Sequence, residues 1–219
     1  MADIYIVVGA RGVVGEQVVS RLESIEKRVL TISGKTLVQM SEREFLHASS
    51  QQIKEISTSP NAIDSVGVIL AHRTRHNDVS KSVQGELRLC RDLIRAFAEK
   101  FSKVNVVILG SITGSFIDIA TSEAYHYAKD TQKSCVRQSI RIPNLCMNLI
   151  ELSWFVKYPE HRFHEGYRKQ IEQVGQRVGY GNLPTVLDIT DFAVSLIELR
   201  RPPRGQVIAY DGGYSLLQE

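Results

Sequence analysis

The chain has 219 residues, 43% of them hydrophobic and 23% charged, with a formal net charge of +3. That balance excludes a wholly disordered or low-complexity chain, gives nucleic-acid binding no electrostatic footing, and suits one domain with a large core. Three scattered cysteines, Cys90, Cys135 and Cys146, are too few for a disulfide framework or a zinc site and fit a reducing, cytoplasmic setting. No apolar run approaches the roughly 20 residues that cross a bilayer.

Ile4–Val8 is a short β-rich run that stops at Gly9, after which Val14, Val18 and Leu22 recur at helical spacing. Val29–Ile32 predicts a second strand, ending at Ser33-Gly34, and Leu37–Met40 a shorter third one. His47–Ile56 reads as a helix, closed by Ser-Thr-Ser-Pro-Asn, and Val66–Ala71 as a strand. Ser82–Lys100 predicts a long helix with Leu87, Cys90, Ile94 and Phe97 on one face. Val104–Leu109 predicts a strand, Thr121–Ile140 a helix, and Ile142–Met147 a weaker strand compromised by Pro143. Asp188–Leu199 reads as an amphipathic helix and Gln206–Tyr210 as a last strand. The expectation is a single domain over residues 1–219, with a polar segment around 149–186 that lacks a clean strand. Near-continuous apolar strands alternating with helices predict an α/β architecture, a doubly wound parallel sheet in three layers with helices on both faces. Such sheets bind ligands beyond the carboxyl ends of their strands. Chemistry is therefore expected just after Val8, Ile32, Ala71 and Leu109.

Gly9-Ala-Arg11-Gly12-Val13-Val14-Gly15 follows the first strand and opens the first helix. Glycines allow a tight turn and a close approach of pyrophosphate to backbone, and the helix start offers free N–H groups. The segment therefore reads as a dinucleotide-binding loop. An acidic residue at the end of the second strand would bond the ribose 2′-hydroxyl of NAD. Here Ser33-Gly34-Lys35 stands instead, and no carboxylate appears before Glu42. Ser33, Lys35 and Arg11 supply a hydrogen bond and positive charge, which a 2′-phosphate needs. The expectation is NADP(H) in preference to NAD(H).

Tyr125 and Lys129 lie one helical turn apart, on one face. An ammonium beside a phenol favours the phenolate, so the pair can pass a proton to or from a carbonyl oxygen. The spacing alone recurs by chance. Its position after the strand Val104–Leu109 gives it weight, and Ser111 at that strand's end can polarise the same oxygen.

Taken together, the glycine loop, Leu109-Gly-Ser111-Ile-Thr-Gly114, Tyr125-His-Tyr-Ala-Lys129 and Gly205-Gln-Val-Ile-Ala-Tyr-Asp-Gly-Gly213 resemble the short-chain dehydrogenase/reductase family over essentially the whole chain. The resemblance implies a Rossmann-type domain and an NAD(P)-dependent oxidoreductase that moves a hydride between cofactor and a small-molecule carbonyl or alcohol. It implies Tyr125 as acid/base, Lys129 as the group that holds the nicotinamide ribose, and Ser111 as the residue that orients the carbonyl. Ala71 and His72 would line the cofactor, as would Asn148 at its nicotinamide end. A homodimer or homotetramer would pair through the two long helices.

The departures from the family pattern are specific. The glycine spacing is that of extended and atypical members. Leu70-Ala71-His72-Arg73 stands where Asn-Asn-Ala-Gly is usual, the family's relay Asn falls at Ser82, and its Pro-Gly is replaced by Met147-Asn148. These changes leave open a redox-inactive dinucleotide sensor and an epimerase or dehydratase that recycles its nicotinamide. His72-Arg73-Thr-Arg75-His76 together with Trp154, His161, Arg162 and His164 form either a cationic rim for an anionic substrate or a solvated loop. The histidines lack the carboxylate or thiol partners of a metal site.

Overall fold

The computed structural model of the protein describes residues 2–34, 40–57, 63–72, 78–111, 123–152, 172, 175–176 and 183–210. The elements, in order, are β1 (Ile4–Val8), α1 (Val13–Ser24), β2 (Val29–Ile32), α2 (Glu42–Ser57) and β3 (Ser65–Leu70). α3 runs over Val79–Leu87, passes through a π-helical segment, Arg88–Leu93, and resumes as Ile94–Ala98. β4 (Lys103–Ser111), α4 (Glu123–Ser139), β5 (Leu145–Leu152), α5 (Val186–Glu198) and β6 (Val207–Tyr210) complete the set.

Six strands form one sheet in the order β2-β1-β3-β4-β5-β6, with every neighbouring pair parallel. Alternation along the strands divides the core in two. Ile4, Ile6, Val8, Val68, Val106 and Ile108 face α3 and α4, meeting Leu89, Leu93, Phe97 and Val136. Tyr5, Val7, Ile69, Val107 and Ile150 face α1 and α5, meeting Val18, Leu22, Ile189 and Ala193. Burial on both sides explains why these strands read as unbroken apolar runs. The three-layer α/β architecture expected from the sequence is the one observed.

Several boundaries differ from the sequence reading, those of α2 and β5 for identifiable reasons. α2 begins at Glu42 rather than His47, because Ser41 and Glu44 form a capping box: the Glu44 amide donates to Ser41 Oγ at 3.3 Å and the Ser41 amide to Glu44 Oε2 at 2.8 Å. β5 begins at Leu145 rather than Ile142. The segment before it turns instead, with the Ile142 amide on the Ser139 carbonyl and the Leu145 amide on the Ile142 carbonyl, as Pro143 demands. β5 also runs on to Leu152, so Met147 and Asn148 lie inside the strand. The strand expected at Leu37–Met40 lies outside the described residues up to 39.

The amino-terminal edge of the sheet is tied by side chains. The Arg204 guanidinium donates to the carbonyls of Leu145, Ile140 and Ile142 at 3.1, 3.1 and 2.6 Å. Asn144 donates to those of Ala98 and Phe101. Asp3 accepts from the Asp64 and Ser65 amides. Among the described residues, no helix is long and apolar enough to cross a membrane.

α5 opens with its own capping box, in which Asp188 accepts from both the hydroxyl and the amide of Thr185. The Thr185 hydroxyl, then its amide, hold the Asp188 carboxyl below its ordinary 3.8. A carboxyl depressed on folding stabilises the protein above its unfolded value and loses that contribution as pH falls through the folded one. Asp188→Asn should therefore lower Tm by a few degrees at neutral pH, and the gap to wild type should close below pH 3.8. Melting curves of both proteins between pH 7 and pH 3 check this.

Candidate functional site

The chain leaves β1 through Gly9, whose φ of +88° an L side chain rarely adopts. A Cβ on Gly9 would stand 2.9 Å from the carbonyl carbon and oxygen of Ala71, the first residue after β3. A Cβ on Gly15 would stand 2.3 Å from the Gly9 carbonyl oxygen. These two glycines let β1, β3 and α1 converge. Gly12 differs: it is exposed, and a Cβ there would meet only the Gly9 oxygen at 3.3 Å and the Ala71 oxygen at 3.9 Å. Gly12 is also the N-cap of α1 and makes no side-chain cap bond. The first helical turn, from Val13 and Val14, thus presents its amides at an open face. β1 and β3 are the strands between which the winding of the sheet reverses, the place where such sheets hold nucleotides. Gly12, Val13 and Val14 thus stand where backbone N–H groups of a helix start face this crevice, the arrangement that suits an anionic group such as a pyrophosphate.

One corner of that crevice joins the ends of β2 and β3. A Cβ on Gly34 would lie 2.5–2.9 Å from His72 side-chain atoms, so the imidazole packs directly on this glycine. Ser33 beside it is exposed, as is Arg11 on the glycine turn. Ser33, Ala71 and His72 are therefore brought together at this corner. Lys35 lies outside the described residues.

The second cluster lies beyond β4 and β5. Ser111 ends β4, opposite Leu152 of β5; its side chain lies outside the described residues. Tyr125 is half-buried on the first turns of α4, and Lys129 one turn on is only 4% exposed. The Lys129 ammonium sits 5.2 Å from the Tyr125 ring centroid. Lys129 Nζ donates to Gln132 Oε1 at 3.2 Å, and Gln132 Nε2 donates to Glu86 Oε2 of α3 at 2.8 Å. Next to them Lys133 pairs with Glu151 of β5 at 2.8 Å. Lys133 thus meets Glu151 directly and Lys129 reaches Glu86 only through Gln132, and these partners make the burial of the polar groups tolerable. Glu86, Gln132 and Glu151 did not stand out in the sequence. The available signal was a carboxylate at position 86 and an amide at 132, each on a helix face otherwise given to buried residues.

The Cys90 thiol is pushed well above its ordinary range by burial and by nearby Glu86, and Cys135 up to about 11, chiefly by burial. Both shifts favour the thiol over the thiolate, which is the reactive form. Among the described residues, no group of three His, Cys, Asp or Glu side chains could hold a metal ion. A cavity of about 220 Å³ bordered by Arg91, Arg95, Cys135 and Arg141 opens at the far end of α4, remote from the glycine turn.

The structure corrects one expected contact. Asn148 does not reach the carboxyl edge; it faces Val107 in mid-strand, four positions before Leu152. Its side chain donates to the Pro203 carbonyl at 2.8 Å and accepts from the Gln206 amide at 3.2 Å, joining β5 to the approach of β6. The spacing misled because the strand was expected to end at Met147. Arg73, Arg75, His76, Trp154, His161, Arg162 and His164 lie outside the described residues, and with them the expected cationic rim.

The sequence matches no protein-family model and no curated relative. Its likeness to known proteins is three-dimensional. A 4-hydroxyisoleucine dehydrogenase mutant complexed with NADH and succinate is similar with a TM-score of 0.72 and 18% identity, over 97% of this chain and 98% of that one. The 3-alpha-hydroxysteroid dehydrogenase from Pseudomonas sp. B-0831, complexed with NADH, gives 0.72 and 14%, over 99% and 98%. A small-chain dehydrogenase in complex with NADPH gives 0.69 and 14%, over 99% and 100%. The fold is the Rossmann-type fold of the short-chain dehydrogenases.

The two glycine environments predict opposite outcomes for the same substitution. Gly15→Ala should lower Tm by several degrees, since its methyl group meets backbone. Gly12→Ala should melt close to wild type. Thermal unfolding of the two variants separates packing from ligand-facing glycine.

Proposed function

We propose that the chain is an oxidoreductase of the short-chain dehydrogenase/reductase type, transferring a hydride between NADP(H) and the carbonyl or alcohol carbon of a small molecule. The observation that carries this reading is the Lys129 ammonium 5.2 Å from the Tyr125 ring, on the same sheet edge as the glycine turn. The nucleotide, when bound, supplies the hydride at its nicotinamide ring. The protein's part is to seat it and to move a proton. Gly12, Val13 and Val14 receive the pyrophosphate on backbone N–H groups. Ala71 and His72 close the crevice behind it. Ser33, Lys35 and Arg11 receive the 2′-phosphate, and the absence of a carboxylate at the end of β2 supports NADP(H) over NAD(H).

Tyr125 gives its phenolic proton to the substrate oxygen in reduction and takes it back in oxidation. Lys129 stabilises the phenolate left behind and holds the nicotinamide ribose. Ser111 orients the carbonyl from the end of β4. Asn148 has no part in this set. Three free cysteines suit a reducing, cytoplasmic setting, and the face built by α3 and α4 suits pairing into a homodimer or homotetramer. The neighbouring structures are named for substrates as unlike as 4-hydroxyisoleucine and a 3-alpha-hydroxysteroid; the proposal accordingly names a carbonyl or alcohol class, anionic members included.

Titration with NADPH and NADH, followed by nicotinamide fluorescence and then by a panel of carbonyl compounds, tests the reading. NADPH should bind at least tenfold tighter than NADH, and Tyr125→Phe should bind it while losing turnover by about 10²-fold or more. Binding without turnover by wild type would favour a sensor, and a tightly retained cofactor with no net absorbance change would favour a recycling epimerase or dehydratase. No binding of either nucleotide overturns the proposal.

A further inference from the structure

The buried link from α4 to α3 extends the site beyond the residues that touch reactants. Gln132 is 1% exposed and Glu86 is 1% exposed, yet both are polar. The Gln132 amide has one orientation that satisfies both neighbours: its oxygen accepts from the Lys129 ammonium and its nitrogen donates to Glu86. Glu86 Oε2 also lies 3.7 Å from the Cys90 sulfur, which donates to it. Glu86 Oε2 thus accepts from both the Gln132 amide and the Cys90 thiol. The sheet makes room for the link at Gly110, where a Cβ would stand 3.2 Å from Gln132 Oε1. Tyr125, Lys133, Glu151 and Cys135 are the other titratable groups around this seam.

We propose that Glu86, acting through the Gln132 amide, is the positioning residue and counter-charge for Lys129, fixing where its ammonium stands before any nucleotide binds. A lysine stem has four rotatable bonds and a strongly hydrated head. Without a partner on its buried side, the head would turn to water and leave the tyrosine. The Gln132 carbonyl holds it from one direction, and the carboxylate behind the amide balances its charge across a distance that a direct ion pair would not leave. This inference rests on the proposed function only for what Lys129 does next; the positioning itself is a property of the chain alone.

Two measurements test it. The first needs no nucleotide: competitive acetylation with acetic anhydride, read by mass spectrometry on the peptide that contains Lys129. Glu86→Gln and Gln132→Leu should each label about tenfold faster than wild type, the size of one lost hydrogen bond to a charged group. The second is a double-mutant cycle on NADPH affinity. Glu86→Gln should weaken binding about tenfold in the native background and change it less than twofold in Lys129→Met, since its effect passes through that lysine. Unchanged labelling in both variants overturns the proposal. So does an equal loss of affinity in the two backgrounds, which would mark Glu86 as a packing residue only. Should Glu86→Gln fail to fold, Gln132→Leu decides alone. Failure of wild type to bind either nucleotide would overturn the proposed function while the labelling result still decides the positioning.

Discussion

Everything at the carboxyl edge depends on how closely three backbones approach one another after β1. Gly9 adopts a φ of +88° within side-chain distance of Ala71, and Gly15 stands against the Gly9 carbonyl. That contact sets the angle at which α1 leaves the sheet and the gap between the ends of β1 and β3. A single methyl group at either position would collide with backbone and force a helix or a strand outward. The crevice is thus defined by missing atoms, and the helix start that opens on it carries no side-chain cap, which leaves its N–H groups facing the crevice.

The sheet separates two tasks. Its two-sided apolar core fixes the strands in register, while polar groups gather chiefly toward the ends. At the amino end they tie loops to strands, as Arg204, Asn144 and Asp3 do. Toward the carboxyl end they form a seam in which Gln132 links Lys129 to Glu86 and Lys133 pairs with Glu151. Buried charge is costly unless matched. Matching here spans two helices and a strand, so the tyrosine-bearing helix is held in place by electrostatics as well as by packing.

How much of this could be read from the sequence follows from the range of each interaction. Strands such as Ile4–Val8 and Val66–Leu70 were legible because burial on both faces writes itself into local composition. The glycine loop was legible because its geometry is satisfied within seven residues. The helix start at Glu42 was missed although its Ser41 and Glu44 cap is local, since the apolar spacing begins later. Pro143 hid the onset of β5 and shifted Asn148 from the middle of a strand to its end. Glu86 and Gln132 lie 46 positions apart and only packing makes them neighbours, so neither carries a local sign of the other.

The Arg204 guanidinium has a consequence for the order of assembly. It covers the carbonyl of Ile140 at the exit of α4 from 64 residues downstream, while Gly205, with a φ of +69°, leaves no room for a methyl group against Ile140. The exit of the helix that bears Tyr125 and Lys129 is therefore closed by chain that emerges much later from the ribosome. The helix that carries the tyrosine and the lysine is thus closed by a long-range contact rather than a local one.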